Sequence, residues 1–218
     1  MRGVLITLEG IDFSGKSLQG KLLYDRLVKE WAGGRPEFVL QFREPGGTRI
    51  SERVREILLD PDLAEMHPVT ELLLYSAARS QLVAEKIIPA LRAGRVVLCD
   101  RFHDSSTAYQ GYGREISLET VENAHAIATH GIRPDLTLVF DVDPEVAEKR
   151  QIQAGRRRDR MELEARQFYR RVREGYLAIA QKEPDRVVVL PGEGDVEKIA
   201  AEVWRHVVKI LPQRPPSG

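Results

Sequence analysis

The stretch that constrains this chain most is LEGIDFSGKSLQ, residues 8–19. Gly10, Gly15, Lys16 and Ser17 in it satisfy G-x-x-x-x-G-K-[ST]. The apolar, β-rich run GVLITLEG leads in, and Leu18, Leu22, Leu23 and Leu27 follow at helical spacing. Strand, glycine-rich turn and helix in that order make a phosphate cradle. The glycines let backbone N–H groups turn inward, and the helix N-terminus adds partial positive charge. Gly10, Ile11, Asp12, Phe13, Ser14, Gly15, Lys16, Ser17 and Leu18 are therefore expected around the phosphates of a nucleoside triphosphate. Lys16 would reach the β- and γ-phosphates, and Ser17 would hold Mg²⁺.

The same logic extends along the chain. Four further apolar runs, EFVLQF, RVVLCD, LTLVFDV and RVVVL, alternate with helical patterns over 16–29, 48–58, 69–91, 117–129 and 196–211. Two more helices start at Pro144 and carry Phe168, Val172, Tyr176 and Ile179, respectively. Pro89 should bend or end the long third helix. Solid rather than alternating strands predict a parallel sheet covered on both faces. The expected fold class is α/β, three layers, with a five-stranded parallel sheet. No linker divides the chain, so residues 1–211 read as one domain, and the Pro-rich end from 212 to 218 reads as a disordered tail.

Charge narrows the partners. Lys plus Arg and Asp plus Glu are both 33, so no overall field attracts nucleic acid or a membrane. Any anion site must be built locally. No apolar stretch has the length of a signal or a span, which points to the cytoplasm. A single cysteine excludes an internal disulfide, and Cys99 lies in an apolar run as a small buried hydrophobe.

A metal beside the cradle needs an acid at a neighbouring strand end. Asp100 and Asp141 both qualify, Asp100 being followed at once by Arg101; Asp141 could instead cap the helix at Pro144. The arginines suggest a second anion pocket. Arg43 and Arg101 stand at strand exits, where ligands gather in open α/β sheets, and guanidinium forks suit a phosphate monoester.

LEGIDFSGKS, REPGGT, YSAARSQ, DRFHDSSTAYQG, RPDLTLVFDVDPEVAEKR and DRMELEARQFYRRVREGY occur in this order. Together they resemble the bacterial thymidylate kinases, over about residues 3–210. The resemblance implies a P-loop nucleoside monophosphate kinase fold, a homodimer, and transfer of phosphoryl from ATP to dTMP. It implies that Asp12 faces the acceptor sugar and phosphate. Arg79 would read the thymine edge, with Tyr75 stacking one helical turn earlier. Arg101 would hold the acceptor phosphate. Ser105, Ser106, Tyr109 and Gln110 would line base and sugar, Tyr109 crowding a ribose 2′-hydroxyl. Pro45 would shape the wall, with a cis Glu44–Pro45 bond as a further expectation.

Family members bring a charge-stabilising arginine from the cradle or from a mobile lid. The cradle interior IDFS has none, whereas GRRRDR, in a lid expected around 150–160, is rich in them. Arg156, Arg157 and Arg158 are the candidates, with Arg150 in reserve. Phe13 departs from the family pattern, where glycine or arginine is commoner, and its ring is expected to point away from the phosphates towards the lid. A kinase for another nucleoside monophosphate and a slow nucleotide switch remain the alternatives at this stage.

Overall fold

The computed structural model describes residues 2–155 and 158–213. In chain order the elements are β1 (Val4–Glu9), α1 (Lys16–Arg26), β2 (Val39–Arg43), α2 (Arg49–Leu59), α3 (Pro68–Leu82), α4 (Ile88–Arg92) and β3 (Val96–Asp100). There follow α5 (His103–Ser106), α6 (Leu118–Ala128), β4 (Leu136–Asp141), α7 (Pro144–Ala154), α8 (Arg166–Lys182), β5 (Val187–Pro191) and α9 (Val196–Val207). The strands form one parallel sheet in the order β2-β3-β1-β4-β5. This is the expected three-layer α/β arrangement.

Alternation along the strands sorts the core into two faces. Val4, Ile6 and Leu8 of β1 meet Leu23 of α1 and Ile199 and Val203 of α9. Leu5, Val97 and Cys99 point the other way, against Leu82, Ile87 and Leu91. Val139 and Val187 on that second face meet Phe168, Val172, Tyr176 and Ile179 of α8. Each fully buried aliphatic side chain contributes about 1.5–3 kcal/mol. A one-residue slip of β1 would move Thr7, 2.8 Å from the Thr137 hydroxyl, onto the apolar face under α1, so register is firmly set.

Three local expectations change. Pro89 does not end its helix. A π turn over Val83–Ile87 joins α3 to α4, Pro89 falls in the first turn of α4, and the run continues to Arg92. The wider turn absorbs a residue that lacks an N–H. Residues 103–113, which show no apolar period, are helical: α5 passes into a π turn over Thr107–Gly113. Small residues make this possible, since a Cβ on Gly113 would lie 2.6 Å from the Phe168 ring. Finally, α9 stops at Val207, and the Trp31 indole donates to the Pro212 carbonyl at 3.0 Å, so the chain is still tied down at 212. The rest of the expected tail, 214–218, lies outside the described residues.

The topology creates a crevice. The chain leaves β1 towards β2 and leaves β3 across β1 towards β4. The loops after β1 and β3 therefore part at the carboxyl edge, where ligands bind in open α/β sheets.

Candidate active site

The loop after β1 is shaped for an anion. Gly10 has φ 133° and Gly15 φ 91°. A Cβ on Gly10 would lie 2.5 Å from the Phe140 carbonyl oxygen, so only glycine fits there. α1 begins at Gly15 with no side-chain cap and no acid in its first turn, leaving its N–H groups free for a ligand. The Lys16 ammonium is buried; it donates to the Ile11 carbonyl at 3.3 Å and stands 4.0 Å from Asp12. Burial, and then the positive charge of Arg101, lower its pKa. Ser17 Oγ donates to Asp100 Oδ2 at 3.1 Å. Asp12 to Ser17 and Leu18 line a cavity of about 550 Å³ that also takes in Arg150, Gly192 and Val196. Gly10 and Ile11 stay beneath it: Ile11 is core, and the Gly10 carbonyl accepts from Arg101.

A second, smaller cavity of about 80 Å³ adjoins the first, and Asp12 lines both. Pro45, Tyr75, Arg101, Ser105, Ser106, Tyr109 and Gln110 line it, as expected from the sequence, and the Glu44–Pro45 peptide is cis. Arg101 Nη2 donates to Asp12 Oδ1 at 2.8 Å and to the Tyr109 hydroxyl at 3.0 Å; that hydroxyl donates to Asp12 Oδ2 at 3.2 Å. Burial alone would raise the Asp12 pKa. Arg101 and Lys16, with the hydrogen bonds from Arg101 and Tyr109, overcome it and hold the carboxyl at about 2. Gln110 lines the wall while its amide donates to the buried Glu71 at 2.8 Å.

Arg79 sits behind this wall rather than in it. It is buried, its Nε donating to Glu44 at 2.7 Å and its Nη2 to the Phe102 carbonyl and Ser106. Its Nη1 is buried with no acceptor. Tyr75, four residues earlier on the same helix face, does reach the cavity.

Two expectations are corrected. Arg43 does not face the crevice: it is on the edge strand β2, half exposed, and paired with Glu52 at 2.8 Å. Glu52 also accepts the Gly47 N–H at 2.8 Å, so it captures the guanidinium while pinning the REPGGT loop. Asp141 is neither at Ser17 nor a cap: Arg173 donates to both its oxygens, at 2.6 and 2.9 Å, and Asp143 caps α7.

Arg55 was missed. It lines the small cavity from α2 and donates to the Pro45 carbonyl at 3.0 Å. Its i+4 and i−3 spacing from the buried Ser51 and Leu58 was the available signal, though a charged residue there reads equally as helix surface. Tyr176 reads from the sequence only as core and Tyr169 carries no assignment, yet the Tyr169 hydroxyl approaches Asp12 at 3.4 Å and that of Tyr176 lies 3.2 Å from Arg101.

In the stretch read from the sequence as a lid, α7 ends at Ala154 and Gly155 turns left-handed at φ 63°. Arg158 lines a cleft of about 50 Å³ with Asp12 and Phe13. Arg156 and Arg157 lie outside the described residues. Arg160 is buried, bonded to the Leu58 carbonyl at 2.8 Å and to Glu71 at 2.6 Å, which ties this stretch to α2 and α3. Arg150 donates to the Phe13 and Gly192 carbonyls, both at 3.0 Å. Phe13 has φ 60°, an unfavourable region for a bulky side chain. Its ring turns outward to pack on the α7–α8 core, beside Ala147 and Tyr169.

The thymidylate kinase family model matches residues 8–203. A thymidylate kinase of Pelotomaculum thermopropionicum is 51% identical over 211 residues, 97% of this chain and 95% of that protein. One from Caldanaerobacter subterraneus subsp. tengcongensis is 46% identical, over 97% and 98% of the two chains. Among solved structures, the thymidylate kinase of Ehrlichia chaffeensis superposes with a TM-score of 0.76 at 33% identity, covering 95% of this chain and 99% of that one.

Proposed function

This chain belongs to the thymidylate kinase family, and on that premise we propose how its residues move the γ-phosphoryl group of ATP to dTMP, giving ADP and dTDP. One observation carries the reading. Two cavities, one lined by a phosphate cradle and one by arginines, meet at a single carboxylate, Asp12. A hydrolase needs one anion pocket; transfer to a phosphorylated acceptor needs two, side by side.

The transferring group passes between two anions, so catalysis is positioning plus charge stabilisation. The cradle N–H groups and Lys16 bind the donor phosphates. Arg101, supported by Arg55, takes the acceptor phosphate. Asp12, kept ionised by Arg101, faces the acceptor sugar and holds that guanidinium in aim. Tyr75 stacks on the base, and Arg79 offers its unpartnered Nη1 to the base edge from behind Ser106. Ser105, Ser106 and Gln110 complete the wall, and Tyr109 disfavours a 2′-hydroxyl. Charge on the transferring group is met by the lid, from Arg158 or from Arg156 and Arg157.

Mg²⁺ fits the donor side. Ser17 and Asp100 present a hydroxyl and a carboxylate already 3.1 Å apart, hard oxygen donors of the kind it takes alongside nucleotide phosphates. When bound it neutralises phosphate charge. The chain would work as one domain with a lid at 150–160, in the cytoplasm; among the described residues no helix is long and apolar enough to cross a membrane. A second copy would cover α2, α3 and α6, where Ile50, Ile57, Leu73 and Ile127 leave large apolar side chains exposed.

Release of ADP from ATP and Mg²⁺, followed with and without dTMP, tests the reading: turnover should depend on dTMP. Phe13 gives a second check. Its left-handed backbone costs about 1–3 kcal/mol, offset by ring packing on α7 and α8. Phe13→Gly removes both, so kcat/KM for dTMP should stay within about tenfold, about 1.4 kcal/mol. A larger gain in steady-state rate would mean that the ring obstructs the site.

A further inference from the structure

Glu9, the last residue of β1, is fully buried. It lines neither the donor nor the acceptor cavity, so nothing in the proposed chemistry uses it directly. Yet its carboxylate is fully engaged. Oε1 accepts the backbone N–H of Phe102 at 2.7 Å. Oε2 accepts the Ser105 hydroxyl at 2.6 Å and the Tyr176 hydroxyl at 2.8 Å.

Those contacts surround Arg101. Its φ is 73°, the left-handed region that an L side chain rarely adopts without support. Support comes from β1. The Arg101 N–H donates to the Leu8 carbonyl at 2.9 Å, and the next N–H, that of Phe102, goes to Glu9. Two successive residues at the end of β1 thus hold two successive peptide N–H groups on either side of the Arg101 Cα. Glu9 also acts on the guanidinium through its neighbours. Arg101 Nη1 donates to the Gly10 carbonyl at 2.9 Å and to the Tyr176 oxygen at 3.2 Å, and approaches Ser105 Oγ at 3.3 Å. Tyr176 and Ser105 are the hydroxyls that Glu9 orients. A neutral side chain would fill this space at less desolvation cost. Burial, with Asp104 adding to it, pushes the Glu9 carboxyl up to about 7 against the pull of Arg101 and the two hydroxyls. Retention of an acid in such a place calls for a task.

We infer that Glu9 is a positioning residue: it locks the left-handed turn at Arg101 and thereby aims the guanidinium into the acceptor cavity, tying the donor loop to the acceptor loop. This rests on the reading of Arg101 as the acceptor-phosphate residue.

The test is Glu9→Gln, near-isosteric, with Tyr176→Phe as a second variant that keeps the core ring. Each is assayed with dTMP and ATP varied separately, beside thermal unfolding. Glu9→Gln is expected to raise the KM for dTMP by about tenfold or more and to leave the KM for ATP within about twofold; Tyr176→Phe should do the same more weakly. Placed on Arg101→Ala, Glu9→Gln should add less than about twofold, because its effect passes through a side chain already removed. An unchanged dTMP KM overturns the inference. So does a parallel rise in both KM values with a lowered Tm, or a penalty that adds in full on Arg101→Ala. If Glu9→Gln does not fold, Tyr176→Phe decides by the same criteria. Wild-type protein without dTMP turnover would instead overturn the reading of the reaction, and it is measured first.

Discussion

Arg101→Ala should lower kcat/KM for dTMP by about 30- to 5,000-fold, the range that about 2–5 kcal/mol represents for breaking a buried, hydrogen-bonded charge pair. Among the described residues, neither Arg55 nor Arg43 is placed to take over. Arg55 reaches the same cavity, but its Nη1 is engaged with the Pro45 carbonyl, and Arg43 is held by Glu52. The variant also strands Asp12, whose folded pKa of about 2 lies below its ordinary 3.8 chiefly because Arg101 and Lys16 outweigh burial. A carboxylate depressed in this way stabilises the fold above its unfolded pKa and loses that contribution as pH falls through the folded value. Arg101→Ala should therefore be less stable than wild type at neutral pH, and the gap in Tm should narrow as pH drops from about 4 to about 2. Steady-state kinetics and pH-resolved thermal unfolding check the two halves separately.

Lys16→Met should reduce kcat by about 10³-fold, the scale of losing a preorganised cationic donor to developing phosphate charge. Its effect on stability should have the opposite sign. The ammonium is buried, its one backbone bond is 3.3 Å long, and its carboxylate neighbour is 4.0 Å away. Burial and Arg101 already disfavour the charge, so the residue is held in place at a cost that bound phosphates relieve. Methionine fills the same space without charge. An unchanged or higher Tm beside a collapsed kcat is the expected pair of results, and a large fall in Tm would mean Lys16 is chiefly structural.

The fold was legible because its signals are local. Solid apolar strands, a glycine loop between strand and helix, and Pro144 in a first turn each carry their own periodicity or stereochemistry. Residues 103–113 escaped because small residues there serve close packing on several sides, Gly113 against Phe168 of α8 and Gly111 against Leu118 of α6, which leaves no apolar period. Pro89 misled because a π turn upstream cannot be read from residue types. Within the site, the loop residues named from the sequence, Gly10 and Ile11 apart, do line the two cavities, since backbone geometry confines them. Long side chains are not so confined. Arg43 and Arg55 look alike in sequence, and only the captive role of Glu52 sends one outward and leaves the other in the cavity. Asp141 illustrates the same limit: its partner, Arg173, is 32 residues away on α8. Glu9 resembled nothing more than the end of a strand.

On the reading proposed above, the Asp12 carboxylate joins a donor pocket to an acceptor pocket made for dTMP. The most direct test is ADP formation from ATP and Mg²⁺ with dTMP, dUMP, dCMP, dGMP, UMP or no acceptor. The expected result is strong preference for dTMP and almost no ADP without an acceptor. The same slow ADP release whether or not an acceptor is present would contradict that reading.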